Sequence, residues 1–396
     1  MKYCKNCVIP ESRPSISFNS DGICSACQMA SQKKENINWT SRYNELKIMC
    51  DKYRRKNDWD YDCIVPVSGG KDSIYQVHTI KNEFNMNPLC ITWKTPTRTP
   101  LGYYNLEILK SIGVDHIDFT PNPAGMKSII KESFIEFGDP SLLDHLAIYN
   151  LIPVLANRFK IPLIIWGENP YMEYGGRNLE ESNKNIQDAD FIKNHHIMKG
   201  KTPLDWVASD RTRRMLASLI QTDEYSLTNI EYMPIYLGYY KPWDAKQNLE
   251  IAQSYGYKTR SGGPLMGLYD YADIDCSNII IHHYIKWLKF GFNRITDHAS
   301  NEIRKGRMTR DEAIELIKKQ DGLKPPKEFI LKLCKLINIT YNEFWEILEK
   351  FRNKNIWEKE GNGWYIKDWI GGNNQIDNFP HVELNEEEKY FFNENK

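Results

Sequence analysis

Residues 65–76, VPVSGGKDSIYQ, set two glycines, a lysine and an aspartate between the apolar run DCIVPV and a helix-like stretch. A chain that passes from strand to helix over so few residues leaves the first N–H groups of the helix without intrahelical acceptors, pointing outward. Glycine permits the tight turn and lets an anion approach the backbone without meeting a Cβ. The helix dipole and Lys71 add positive charge. Ser68, Gly69, Gly70, Lys71, Asp72 and Ser73 therefore read as a cradle for a phosphate chain, the plainer alternative being a turn that only caps its helix. The GxxxxGK motif followed by Ser or Thr is not met, because Asp72 follows Lys71, and GxGxxG is not met either.

The six residues are similar to SGGxDS, the PP-loop signature of ATP pyrophosphatases, which cleave ATP between its α and β phosphates. That resemblance implies adenylation of a carbonyl or carboxylate oxygen, followed by attack of a nitrogen or sulfur nucleophile. Pro66 departs from a regular strand, since it cannot donate to a ladder, and a bulge is expected there.

From about residue 60 to 260, strand-length apolar runs (DCIVPV, LCITW, HIDFT, PLIIWG, MPIYLGYY) alternate with helical segments. The alternation predicts an α/β fold with a parallel sheet and helices on both faces. The polar stretch after Tyr171 is expected over the carboxyl edge of that sheet, where ligands bind. Beyond about residue 274 the chain reads helical, with capping boxes at Thr309 with Glu312 and Thr340 with Glu343. The expected organisation is a cysteine module over 1–35, a nucleotide-binding domain over 36–265 and a helical region over 266–396. Two helices around LKLCKLINITYNEFWEILEKF could mimic a helix-turn-helix DNA reader; ordinary packing that buries Leu331, Leu336, Phe344 and Leu348 is the preferred reading.

Residues 1–35 lack apolar periodicity, but Cys4 and Cys7, then Cys24 and Cys27, form two CxxC pairs sixteen residues apart. This is the spacing of a tetrahedral Cys4 zinc site, and metal binding would supply the folding energy such a segment lacks. Four thiolates leave no open position, so a structural Zn2+ is expected. The other five cysteines are isolated and read as small buried apolar residues. Cys276, near Asp273, Asp275, His282 and His283, leaves a second metal site open.

Lys plus Arg and Asp plus Glu balance at 52 each, so no net field gathers nucleic acid. MKYCKNCVIP lacks the apolar core of a signal peptide, and no apolar run reaches the length of a spanning helix. A cytoplasmic location is expected. Two nucleophile classes compete: sulfur, as in a PP-loop tRNA thiolase, and ammonia. A thiolase needs a cysteine pair near the turn; no CxxC follows Cys27, and no basic stripe marks a phosphate footprint, so ammonia is favoured.

CKNCVIPESRPSISFNSDGICSAC, DCIVPVSGGKDS, WGENPYMEYGG and KWLKFGFNRITDHASNEIRKGRMTRDEA together give the chain a narrower likeness. It resembles the bacterial N-acetyl sugar amidotransferases of surface-polysaccharide and nonulosonic acid pathways, the group that includes the pseudaminic acid and O-antigen (lipopolysaccharide) enzymes. The resemblance implies an ATP-dependent, C–N ligase-type conversion of an acetamido group on a sugar to acetamidino. It also implies a separate glutaminase, with or without an ammonia-channel partner, because no glutaminase domain is evident in the sequence. In physical terms, residues 68–73 would hold phosphates, while Mg2+ would bridge them to carboxylates, Glu168 first and Asp72 second. Lys71, Asp72 and Glu168 are thus the catalytic candidates. Thr92 and Trp93 would approach adenine, with a buried Trp as the alternative. Asn169, Glu173, Tyr174 and Arg177 would line a sugar pocket, unless that loop is simply exposed. Lys258 and Arg260 could meet phosphate or form an exposed basic loop. Arg294, Asp297, His298, Arg304 and Arg307 could reach the site or form a salt-bridged surface, and none is assigned a catalytic role.

Overall fold

A computed structural model describes residues 1–57, 59–176, 185–186, 233–372 and 377–394. Five parallel strands, β1 (Cys63–Pro66), β2 (Pro88–Trp93), β3 (Asp115–Phe119), β4 (Leu163–Trp166) and β5 (Met233–Tyr236), form one sheet in the order β3-β2-β1-β4-β5. The order reverses between β1 and β4, so the crevice at their carboxyl ends lies where ligands bind in open α/β sheets. The expected α/β class is the one observed.

Side chains two apart share a face of the sheet, and the strands are apolar at successive positions because both faces are covered. Ile64, Leu89, Ile91, Ile164 and Trp166 enter one core cluster. Cys63, Val65, Cys90, Leu163 and Ile165 enter the other. The crossover helices begin where their sequences say they should. Thr99 caps Pro100–Glu107 and Asn122 caps Pro123–Phe137, each with proline in the first turn, and Gly138 ends the second helix in the left-handed region.

The C-terminal region is helical: Ser277–Phe290, Arg294–Arg304, Arg310–Gln320, Lys327–Ile337, Tyr341–Glu349 and Glu386–Glu394. Both expected capping boxes are formed. Phe344 and Leu348 are buried as expected, but Leu331 is 43% exposed, because the helix Lys327–Ile337 turns Phe329, Ile330, Leu333 and Ile337 inward instead. A hairpin of β6 (Trp357–Glu360) and β7 (Gly363–Ile366) interrupts the helices. Its turn is Gly361-Asn362, with Gly361 at φ 58°, and the signal was present in the sequence EGNG. The cluster on one sheet face continues through Leu265 and Met266 into these helices without a break. Among the described residues, no helix is long and apolar enough to cross a membrane.

Candidate active site

The turn after β1 is built as a strand-to-helix elbow. Gly69 has φ 84°, and a Cβ there would lie 3.0 Å from the backbone of Leu106. Gly70 caps the helix Lys71–His78. The Ser73 hydroxyl donates to the Gly70 carbonyl at 2.8 Å, and the Gly70 N–H donates to the Ser68 hydroxyl at 3.2 Å. The Tyr257 hydroxyl, which donates to the Tyr271 carbonyl at 3.1 Å, sits against the Lys71 N–H. Hydroxyl oxygens thus occupy acceptor positions that a phosphate would take over. Lys71 is buried, with Nζ 2.6 Å from Asp72 Oδ2; Asn248 Nδ2 donates to Asp72 Oδ1 at 2.8 Å. The carboxylate and the ammonium are both held at the helix start.

The expected bulge at Pro66 is not formed: Cys63, Ile64, Val65 and Pro66 pair in unbroken register with Pro88, Leu89, Cys90 and Ile91. The Val67 N–H donates to the Ile91 carbonyl at 2.9 Å, so by alternation residue 66 directs its backbone toward β4. There the missing N–H matters. β1 and β4 share only the pair Ile64 with Ile164, and Gln76 Nε2 donates to the Ile165 carbonyl at 3.3 Å, the acceptor that residue 66 would otherwise serve. The ladder between the two strands stops there, and the Gln76 side chain supplies the donor. Residue 167 must be small as a result, since a Cβ on Gly167 would lie 2.8 Å from Gln76 Oε1.

Glu168 follows, half-buried at the strand exit. Burial and the negative charges of Asp72 and Glu173 push its carboxyl up to about 7, against the opposing pull of Arg294 and Lys71. The influence of Asp72 places Glu168 within electrostatic range of the turn. Its other side faces a cavity of about 380 Å³. Tyr174 closes over it, with its hydroxyl 3.4 Å from Glu168 Oε2. His145 and Tyr149 line the cavity from the helix Leu142–Phe159, and His282, His283 and Lys286 from Ser277–Phe290; Arg294, Asp297 and Arg13 complete it.

Several charged side chains are set among the apolar residues of this cavity. His282 Nδ1 lies 3.1 Å from Asp139, His283 Nε2 lies 3.4 Å from Asp273, and Arg294 Nε donates to Asp273 at 2.7 Å. Asp297 pairs with both Lys286 and Arg13. Burial opposes the charge on Asp297, but Lys286, Arg13 and Arg294 overcome it and hold the carboxyl well below its usual range. Burial, reinforced by the cations Arg294 and Lys286, pushes His283 down to about 4, so this imidazole is neutral.

Ser68 to Ser73 and Glu168 come together at the crevice, and Tyr174 joins the cavity wall. Asn169 and Glu173 do not line the cavity. Asn169 caps the helix Pro170–Tyr174, accepting from the N–H groups of Tyr171 and Met172 at 3.0 and 3.3 Å, and Glu173 pairs with Lys33. Thr92 is buried, donating to the Val67 carbonyl at 2.7 Å, directly beneath the turn. Trp93 is also buried, donating to Asp144 at 3.0 Å and stacked with Phe119. Arg177 lies outside the described residues. Arg260 is buried in a two-pronged pair with Glu388, both contacts 2.7 Å, while Lys258 is exposed. Arg294 and Asp297 reach the cavity; Arg304 and Arg307 instead join other ion pairs and hydrogen bonds. Cys276 bonds Thr97 at 3.0 Å, apart from His282 and His283, and forms no second metal cluster among the described residues.

Sequence reasoning did not single out Arg13, His145, Tyr149 or Lys286. One signal was available: His282, His283, Lys286 and Lys289 recur at helical spacing in the otherwise apolar SNIIIHHYIKWLKF, which marks a polar stripe on a helix that cannot face water all round.

The four N-terminal cysteines converge, buried and free of disulfides, with all four Sγ atoms within 4.8 Å of one another. Cys4 and Cys27 are 3.9 Å apart at sulfur, and Cys7 and Cys24 are 3.7 Å apart. A tetrahedron of Zn–S bonds about 2.3 Å long has edges of about 3.8 Å. The Cys24 N–H also donates to Cys4 Sγ at 3.3 Å, and Arg304 Nη1 lies 3.9 Å from Cys7 Sγ, so thiolate charge has donors around it. The donor set fits zinc.

Residues 256–370 match the family described as LPS biosynthesis protein WbpG-like, C-terminal domain. The comparison with curated proteins gave no match. Among solved structures, NMN synthetase from Francisella tularensis is similar over 56% of this chain and 93% of that chain, at 15% identity and a TM-score of 0.25.

Proposed function

We propose that this chain is an ATP-dependent amidotransferase that forms AMP and pyrophosphate and converts the acetamido group of an N-acetylated sugar to acetamidino, in lipopolysaccharide or related surface-glycan biosynthesis. The observation that carries this reading is the placement of Glu168 between a phosphate-type turn and a cavity lined by several charged side chains, within electrostatic range of Asp72. Two reactants can meet across one carboxylate. The match of residues 256–370 to a lipopolysaccharide-biosynthesis family supports a sugar as the second reactant.

In this reading the elbow at residues 68–73 and Lys71 bind the β and γ phosphates, leaving the α phosphorus toward the cavity. The acetamido oxygen attacks that phosphorus and pyrophosphate leaves. Ammonia then adds to the activated carbon and AMP departs with the former amide oxygen. The proton released from nitrogen passes to a basic group of the cavity, for which the neutral His283 is the candidate. Asp72 and Glu168 would hold Mg2+, which neutralises phosphate charge when bound, and their mutual repulsion is what such a cation relieves. Thr92 supports the turn through the Val67 carbonyl. Ammonia comes from a separate glutaminase, by way of a channel-forming partner, and the reaction belongs in the cytoplasm with its ATP. The substrate is of the pseudaminic acid or O-antigen kind.

The alternative of sulfur transfer to tRNA finds little support, because Cys50, Cys63 and Cys90 are wholly buried in the sheet core. The test is product analysis. Purified protein with ATP, Mg2+, ammonium and a panel of N-acetylated nucleotide sugars should release AMP and pyrophosphate, with one sugar losing mass by the difference between O and NH. Release of ADP and orthophosphate, with no AMP, would refute it.

A further inference from the structure

We propose that Arg13, carried on the cysteine module, is an acceptor-binding residue, and that metal in the four cysteines holds it in the cavity wall as part of an anion-binding face. The inference rests on reading the cavity beside Glu168 as the acceptor pocket.

Arg13 lies in the loop between the two cysteine pairs and lines the cavity together with Pro14 and Ser15. It has almost no secondary structure of its own to fix it; its anchors are tertiary. Ser12 Oγ donates to the Phe290 carbonyl at 2.5 Å, and the Arg13 guanidinium stands 5.4 Å from the centre of the Tyr174 ring and 5.9 Å from that of Phe292. The module itself is seated against the β4 exit. Gly175, at φ 85°, allows the chain to approach Ala26 so closely that a Cβ would lie 2.7 Å from its nitrogen. Arg304 joins the two surfaces, reaching Cys7 Sγ with one nitrogen and the Glu173 carbonyl at 3.1 Å with another. Loss of the cysteine cluster would release this seat, and Arg13 with it.

The donors left on Arg13 and its neighbour Arg294 indicate what this wall receives. Arg13, Lys286, Lys289 and Arg294 stand among Asp139, Glu168, Asp273 and Asp297 in the cavity lining, so its fixed cations and carboxylates are equal in number. Arg13 uses Nη1 for Asp297, and Arg294 uses Nε and Nη2 for Asp273. Each guanidinium therefore has donor capacity beyond its carboxylate partner. Beyond this wall, His282 Nδ1 lies 3.1 Å from Asp139, and Lys289 donates to the Phe137 carbonyl. Those remaining guanidinium donors suit an anionic group on the acceptor, carboxylate or phosphoryl, which a guanidinium binds in a two-pronged geometry.

The test uses the full-length protein with its metal content measured. Calorimetric titration with N-acetylneuraminate, N-acetylglucosamine 1-phosphate and neutral N-acetylglucosamine is run beside titration with ATP. At least one anionic sugar should bind, and the tighter of the two identifies carboxylate or phosphate as the group received. Arg13→Ala should weaken that binding about tenfold or more, Arg13→Lys less, and chelation of the metal as much as Arg13→Ala, with ATP affinity kept within about twofold throughout. Hydrogen exchange of the chelated protein should show lost protection at residues 10–18 and 286–297 and retained protection at 65–78. The proposal fails if neither anionic sugar binds, if the neutral sugar depends equally on Arg13, or if ATP affinity falls in step with sugar affinity. Since AMP is not measured, a wall that binds anions in a protein that never forms AMP would refute the amidation reading and leave this proposal standing.

Discussion

Glu168 is the residue through which pH should act on both stability and turnover. Its carboxyl is raised to about 7 in the folded protein, above its value in an unfolded chain, so the unfolded state releases this proton first as pH rises. Its contribution to stability is therefore intact below the unfolded value, declines up to about 7 and is flat above. Glu168→Gln removes that penalty. Thermal melts should show the variant more stable by on the order of 1–2 kcal/mol at pH 8, after allowance for solvent screening, and equal to the parent near pH 4. AMP formation should fall by about a hundredfold or more, and the parent's rise in rate through pH 7 should be missing in the variant. A variant that is no more stable at pH 8 would mean that Glu168 carries no such burden. This residue was legible in the sequence, since a carboxylate just past a strand end is a recognisable position. Asn169, next to it, had the same polar character, and nothing local distinguished a group that faces a cavity from one that caps the helix behind it.

At the scale of elements, the pair β1 and β4 depends on a proline and a glutamine acting together. Gln76→Leu leaves the Ile165 carbonyl without its donor and should cost about 1–3 kcal/mol. With Pro66→Val, a backbone N–H becomes available to the same carbonyl, so the cost of Gln76→Leu should shrink. A double-mutant cycle by chemical denaturation should give a coupling of about 1 kcal/mol, and additivity would show that the two residues do not share that acceptor. The strands themselves were readable from their apolar runs, and the helices from their caps. The missed hairpin β6–β7 shows where such reading stops: its strands, WEKE and GWYI, are short, and only the intervening turn announces them. The inward face of Lys327–Ile337 was misjudged at Leu331 because apolar residues cover most of that helix, and tertiary packing decided which of them went in.

For the whole molecule, the apolar cluster that joins one sheet face to the C-terminal helices makes the two halves interdependent. Leu146 and Ile164 share it with Ile280, Tyr284 and Leu333. A chain ending at residue 265 should consequently be poorly soluble or expanded, with retained far-ultraviolet but weakened near-ultraviolet circular dichroism. A sharp cooperative melt of that fragment would show the sheet domain to be self-sufficient. The cavity beside Glu168 has the same dependence in stricter form, because its walls come from residues near 13, from 139 to 175 and from 273 to 297. During synthesis on a ribosome, the turn after β1 emerges long before the last wall. A nascent chain would have neither a settled sheet nor a finished chamber until most of the polypeptide had been made.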